Sequence, residues 1–264
     1  MDFAGRDTPK GWKLRRLVRY TLVVVGVATL AVVGSAPAGM AAVPGPSADL
    51  TVTAILPATG EVVGVAAPIE VTFAEPVSNL TRAEQSVSIT SNDTPRGKFT
   101  WLSNQELQWV PDTFWPAHAP ISVTAGGFKT DFETGSKVVG VADVDAHTFT
   151  VSIDDVVARQ MPASMGKPKH PTPIGSFTAM AKEKSVVMDS RTIGIPLSDP
   201  EGYKLTVADA VRITSGGVYV HSAPWSVGSQ GYANVSHGCI NLSPDNAAWY
   251  FDTVRVGDPV TVQA

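Results

Sequence analysis

The chain has 264 residues, 44% hydrophobic and 17% charged, with 20 prolines, 23 glycines, one cysteine and a formal net charge of −4. A single thiol excludes an intrachain disulfide and any metal cage built from several cysteines, and an acidic balance with no basic stripe beyond the first twenty residues argues against a nucleic-acid binder. The hydrophobic fraction fits folded protein rather than disorder, and the length fits one large domain or two ordinary ones.

Residues 1–19 carry Arg6, Lys10, Lys13, Arg15, Arg16 and Arg19 against two aspartates, and residues 20–41 carry no charge. Removing these from the chain's 20 basic and 24 acidic residues leaves 14 and 22, a net of −8. The apolar block Tyr20–Val33 and the small residues up to Ala42 complete the three parts of a secretory signal. Uncut, the stretch from Leu17 to Met40 is long enough to span a bilayer with its basic flank in the cytoplasm. Both of these readings have residues 1–42 export the remainder, membrane-anchored or secreted; a buried core helix is the other reading, disfavoured by six cations ahead of an uncharged stretch. Residues 43–48, rich in proline and glycine, read as a linker.

Short β-branched and aromatic runs follow at Thr51–Leu56, Ile69–Phe73, Ser86–Thr90, Phe99–Leu102, Glu106–Val110 and Ile121–Thr124, separated by prolines. The pattern predicts an immunoglobulin-like β-sandwich over 49–128. It has no cysteine, so Trp101, Trp109, Phe114 and Trp115 are expected to pack its core; an exposed carbohydrate-gripping patch is the other use of such aromatics. His118 reads as a solvated loop residue. Residues 126–135 read as a short junction.

From 136 to 264 the alternation resumes at Val138–Val144, Thr148–Ile153, Val156–Met161, Gly175–Ala179, Ser185–Met188, Val211–Ile213 and Gly217–His221. One helix is expected at Ser243–Thr253, with Ser243 as N-cap and Pro244 at its first position, before a last strand to Gln263. The fold class is therefore mainly β: a sandwich followed by a β-rich second domain with one short helix.

The only cysteine, Cys239, lies within twenty residues of two of the five histidines, His221 and His237, and directly after Gly238. A thiol becomes a nucleophile once a neighbouring imidazole takes its proton. Gly238 allows backbone N–H groups to turn toward a developing oxyanion. Two other readings stand beside this one: Cys239 as a small core residue, and His221, His237 and Cys239 as zinc ligands, for which the stretch supplies no obvious fourth ligand.

His221, fourteen intervening residues, then Ser236-His237-Gly238-Cys239-Ile240-Asn241 resembles the signature of the L,D-transpeptidases, whose YkuD-type domain crosslinks bacterial peptidoglycan. Ala163–Phe177, Met188-Asp-Ser190 and His221–Gly228 resemble the mycobacterial branch, in which immunoglobulin-like domains precede the catalytic one. The resemblance implies that Cys239 is the nucleophile and His221 its base, with the Ser222 carbonyl orienting the imidazole. His237 and Gly238 would shape the loop, and backbone N–H groups including that of Cys239 would form the oxyanion hole. Asn241 would fix the loop or touch substrate, beside Ser236, and Gly216 and Gly217 would face the substrate peptide. Tyr203, Trp225 and Met188 would line the cleft or its lid. Ordinary packing is the other reading of these three. Ile193 stands where relatives carry a lid tyrosine, and Arg191 and Gly216 replace small polar residues.

The implied reaction joins a tetrapeptide donor stem to a diaminopimelate acceptor by a 3→3 crosslink, without cofactor or metal. Carbapenem-type β-lactams would inhibit it. Trimming by the same site, as an L,D-carboxypeptidase, and a non-catalytic wall-binding module are the alternatives. The implied location is the membrane facing the wall, or the wall itself.

Overall fold

The computed structural model describes residues 50–264. The signal or anchor segment 1–42 and the linker 43–48 lie outside the described residues. Among the described residues no helix is long and apolar enough to cross a membrane.

The first half contains β1 (Val52–Leu56), β2 (Val62–Val63), β3 (Ile69–Phe73), helix α1 (Leu80–Gln85), β4 (Ser88–Ser91), β5 (Gly97–Trp101), β6 (Glu106–Pro111), β7 (Pro120–Ala125) and β8 (Phe128–Thr134). They form two four-stranded sheets, ordered β1-β3-β6-β5 and β2-β8-β7-β4. Strand β3 alternates buried Ile69, Val71 and Phe73 with half-buried Glu70 and Thr72, the period-2 pattern of a sheet with one face on a core. Trp109 and Trp115 meet in that core with ring centroids 5.2 Å apart, and Trp115 donates its indole N–H to the Ala67 carbonyl at 3.0 Å. Trp101 is half-buried and stacked on Phe73. Phe114 is exposed, contrary to expectation: at the loop after β6 its neighbour Trp115 takes the inward position. His118 is solvent-exposed.

The expected junction at 126–135 is instead mostly strand β8, paired along its length with β7. It buries Thr130, Phe132 and Thr134 and exposes Lys129, Asp131 and Glu133. The Thr134 hydroxyl donates to the Pro116 carbonyl at 2.6 Å and accepts the Ala119 N–H at 2.9 Å, so a polar residue occupies a core position fully bonded.

The second half contains β9 (Val138–Asp143), β10 (Thr148–Ile153), β11 (Val156–Pro162), β12 (Gly175–Thr178), β13 (Ala181–Asp189), β14 (Lys204–Arg212), β15 (Tyr219–Ser222), β16 (Ile240–Leu242), helix α2 (Pro244–Thr253) and β17 (Pro259–Gln263). A five-stranded sheet, β11-β10-β9-β17-β12, faces a four-stranded one, β13-β14-β15-β16. Their shared core contains Phe149, Val151, Met161, Met165, Val220, Ile240, Leu242 and Tyr250. Helix α2 begins at Pro244, where the missing N–H is no loss, and buries Ala247 and Tyr250. The Tyr250 ring meets Phe149 edge-on at 4.8 Å.

The halves join through backbone. The Gly64 N–H donates to the Val256 carbonyl and the Ala66 N–H to the Gly257 carbonyl, each at 2.8 Å. A Cβ on Gly64 would lie 2.0 Å from the Asp258 nitrogen, so only glycine permits this approach. Asp258 is fully buried at this seam and accepts the Arg255 N–H at 2.7 Å. Burial pushes its carboxyl up to about 6, opposed only in part by Arg255. A carboxyl whose pKa is higher folded than unfolded destabilises the fold above pH 6, and the penalty disappears as pH falls toward 4. At pH 7.5 that penalty is about 3 kcal/mol. Asp258→Asn is therefore expected to raise Tm by about 6–12 °C at pH 7.5 and by much less at pH 4.5. Calorimetry at both values checks this; an equal gain at both would trace it to packing.

Candidate active site

Parallel strands β15 and β16 pair Val220 with Ile240 and His221 with Asn241. Cys239 precedes this ladder by one residue. Side chains alternate along strands, so Tyr219 and His221 on one strand share a face with Cys239 and Asn241 on the next. That register brings the signature histidine and cysteine, eighteen residues apart in sequence, to one cleft. The cleft has a volume of about 450 Å³ and is lined by His221, Cys239, Tyr203, Trp225, Met188 and His237 among others, within the usual range for small-molecule sites.

His221 is buried. Its Nδ1 lies 2.9 Å from the Ser222 carbonyl, which fixes that nitrogen as the N–H donor and leaves Nε2 as an acceptor. Burial lowers its pKa below that of free imidazole. Cys239 is half-buried, and burial pushes its thiol up to about 11, with the Tyr219 backbone N–H opposing. Its Sγ lies 3.9 Å from the Gly217 carbonyl. Both causes favour a neutral thiol beside a neutral imidazole at rest. Trp225, more than half exposed, faces His221 with ring centroids 6.0 Å apart.

The loop carrying the cysteine is bonded on several sides. The Ser236 hydroxyl donates to the Cys239 carbonyl at 2.6 Å and accepts the Gly238 N–H at 3.0 Å. Gly238 has φ +120°, a conformation side chains resist. Residues 164–167 run beside the loop, with Ser164 exchanging backbone hydrogen bonds with Asn241 and the Lys167 N–H donating to Ser236. Asn241 is buried and its amide donates to the Ser226 hydroxyl at 3.1 Å. Ser236 and Asn241 touch the cleft wall, but these bonds tie both into the scaffold. Ser222 and Gly238 support the cleft from behind, and Gly217 meets the thiol. Gly216 is exposed and outside the lining.

His237 lies against Tyr203 and His170, with ring centroids at 5.0 and 5.1 Å. His170, Glu201 and His237 bring three possible ligand atoms within 4.8 Å of one another, a grouping absent from the sequence reading because His170 and His237 are 67 residues apart. A cation stands beside two of the three. Lys167 pairs with Glu201 and its Nζ is 3.3 Å from His237 Nε2, and Lys169 pairs with the other Glu201 oxygen at 2.5 Å. These ammonium groups hold the Glu201 carboxyl down to about 2. The cluster works as an ion-pair brace at the rim. Ile193 is exposed in a 3₁₀ turn, Ser190–Ile193, over which Arg191 pairs with Asp189 at 2.5 Å.

The sequence matches the L,D-transpeptidase catalytic domain (YkuD) over residues 137–262 and a bacterial Ig domain over 43–127. It is 55% identical over 249 residues to L,D-transpeptidase 1 of Mycobacterium tuberculosis, spanning 94% of this chain and 99% of that one. An L,D-transpeptidase structure from Mycobacterium smegmatis superposes with a TM-score of 0.78 at 69% identity, covering 81% of this chain and 99% of that one. A structure of L,D-transpeptidase 3 from Mycobacterium tuberculosis in complex with a faropenem-derived adduct superposes with a TM-score of 0.75 at 51% identity, covering 81% and 98%. With the fold, the signature and these likenesses in agreement, the chain belongs to the L,D-transpeptidase family.

Proposed function

We propose that this enzyme forms 3→3 crosslinks in peptidoglycan through an acyl-thioester on Cys239. The observation that carries the reading is the shared cleft of Cys239 and a buried His221 whose tautomer is set by the Ser222 carbonyl. In the first half-reaction His221 Nε2 takes the thiol proton as sulfur attacks the amide carbonyl after the third residue of a tetrapeptide stem. The C–N bond breaks, the proton passes to the departing D-alanine amine, and a thioester remains. In the second, the side-chain amine of a diaminopimelate residue on a neighbouring stem attacks. His221 accepts its proton, the C–S bond breaks and the thiol is restored.

The basic and apolar segment 1–42 would carry the domains to the outer face of the membrane, with the sandwich as a spacer. A carbapenem would acylate the same sulfur through its strained amide. Purified tetrapeptide stems and mass spectrometry test the reading. A dimer lighter by one D-alanine is expected. Tripeptide alone would make the enzyme a carboxypeptidase, and no turnover would leave only a wall-binding role.

A further inference from the structure

We propose that Thr172 is a positioning residue that aims the Cys239 N–H at the oxyanion. The inference rests on the thioester reading and extends it to a residue outside the signature. Thr172 is buried between Pro171 and Pro173, whose rings restrict the backbone on both sides. Its hydroxyl accepts the Gly166 N–H at 2.8 Å and donates to the Gly238 carbonyl at 2.8 Å. One oxygen thus fastens the cysteine loop to the neighbouring segment.

The Gly238 carbonyl belongs to the same peptide plane as the Cys239 N–H, and the two groups of a trans peptide point in opposite directions. Holding the carbonyl on Thr172 therefore sets where the Cys239 N–H points. Gly238, at φ +120°, has no side chain to restrict this plane by itself. Ser236 holds the next carbonyl, that of Cys239, from the other side. Without Thr172, Ser236 still holds the two flanking peptides, through the Gly238 N–H and the Cys239 carbonyl, but the 238–239 peptide between them loses its own bond and can rotate about the glycine. The sulfur, anchored near the Gly217 carbonyl and the Tyr219 backbone, is held by different groups. The two functions are separable: Thr172 acts on the oxyanion donor and not on the nucleophile.

The test compares two reactions of Cys239. Acylation by imipenem develops an oxyanion, whereas alkylation by iodoacetamide is a displacement at carbon that develops none. Thr172→Val preserves shape and removes the hydroxyl. It is expected to slow acylation about 10- to 100-fold, short of the 10²–10³ typical when an oxyanion donor is deleted, while alkylation stays within about twofold. Thr172→Ser, which keeps the hydroxyl, should restore acylation to within about threefold. If Thr172→Val does not fold, Thr172→Ala, where water can enter beside Gly238, should still slow acylation by about fivefold or more. Unchanged acylation, or alkylation falling by the same factor, overturns the proposal. A wild type that is alkylated but never acylated would defeat the thioester reading, and the Thr172 role with it.

Discussion

Cys239→Ala is expected to abolish covalent capture of a carbapenem, with one adduct per chain on the wild type and none on the variant by intact-protein mass spectrometry. The loss exceeds about 10⁴-fold because the sequence holds no other thiol, and the Met188 thioether in the cleft wall has no proton for His221 to remove. The fold should survive: Cys239 is half-buried and packs at the edge of a small cluster with Val207, Ala210 and Tyr219, so truncation costs about 1 kcal/mol. An adduct on the variant would place the nucleophile elsewhere. The protonation of the pair gives a second readout. Burial holds the thiol up near 11 and the imidazole low, so thiolate absorbance at 240 nm, taken as wild type minus Cys239→Ala, should be absent at pH 7.5 and rise only toward pH 11. A thiolate signal at neutral pH would mean a resting ion pair, and the proton would then have moved before substrate arrived.

The readable parts of this chain were those whose physics is local. Ile69–Phe73 coincides with its strand because Pro68 marks the start and every second residue is apolar. Ser243 and Pro244 mark the start of α2 for the same reason. Strand β8 was missed because two of its three buried side chains between 130 and 134 are threonines, which read as loop until their bonds to Pro57 and Pro116 are seen. Helix α1 was missed because six residues with one buried alanine carry no period. Most of β14 went unread because its alternation is irregular, with Asp209 at φ +50° within it. At the site, the signature placed Cys239 and His221 together and the structure brings them to one cleft. Thr172, Lys167, Glu201 and His170 act through partners up to 70 residues away. No spacing rule reaches them.

His221→Gln is expected to lower the rate of carbapenem capture by about 10²–10⁴-fold at pH 7.5, the usual contribution of a positioned base. The thiol explains why the effect is large. With its pKa near 11, only a small fraction of Cys239 is ionised at neutral pH without help, and the carbonyl reaction depends on proton removal as the bond forms. Glutamine retains a polar side chain at a buried position but offers no basic nitrogen. Iodoacetamide, which also needs the thiolate, should slow as well. This separates His221→Gln from Thr172→Val, for which alkylation is expected to persist. The pH profile carries the sign: because burial lowers the imidazole pKa, the wild-type rate should hold down to a pH below 6.5 before falling as the base is protonated. In His221→Gln that acid limb disappears and the rate instead climbs with pH toward the thiol's own ionisation. A variant that keeps the wild-type rate and its acid limb would assign the base to another group, and His237, half-buried and also lining the cleft, would be the next to replace.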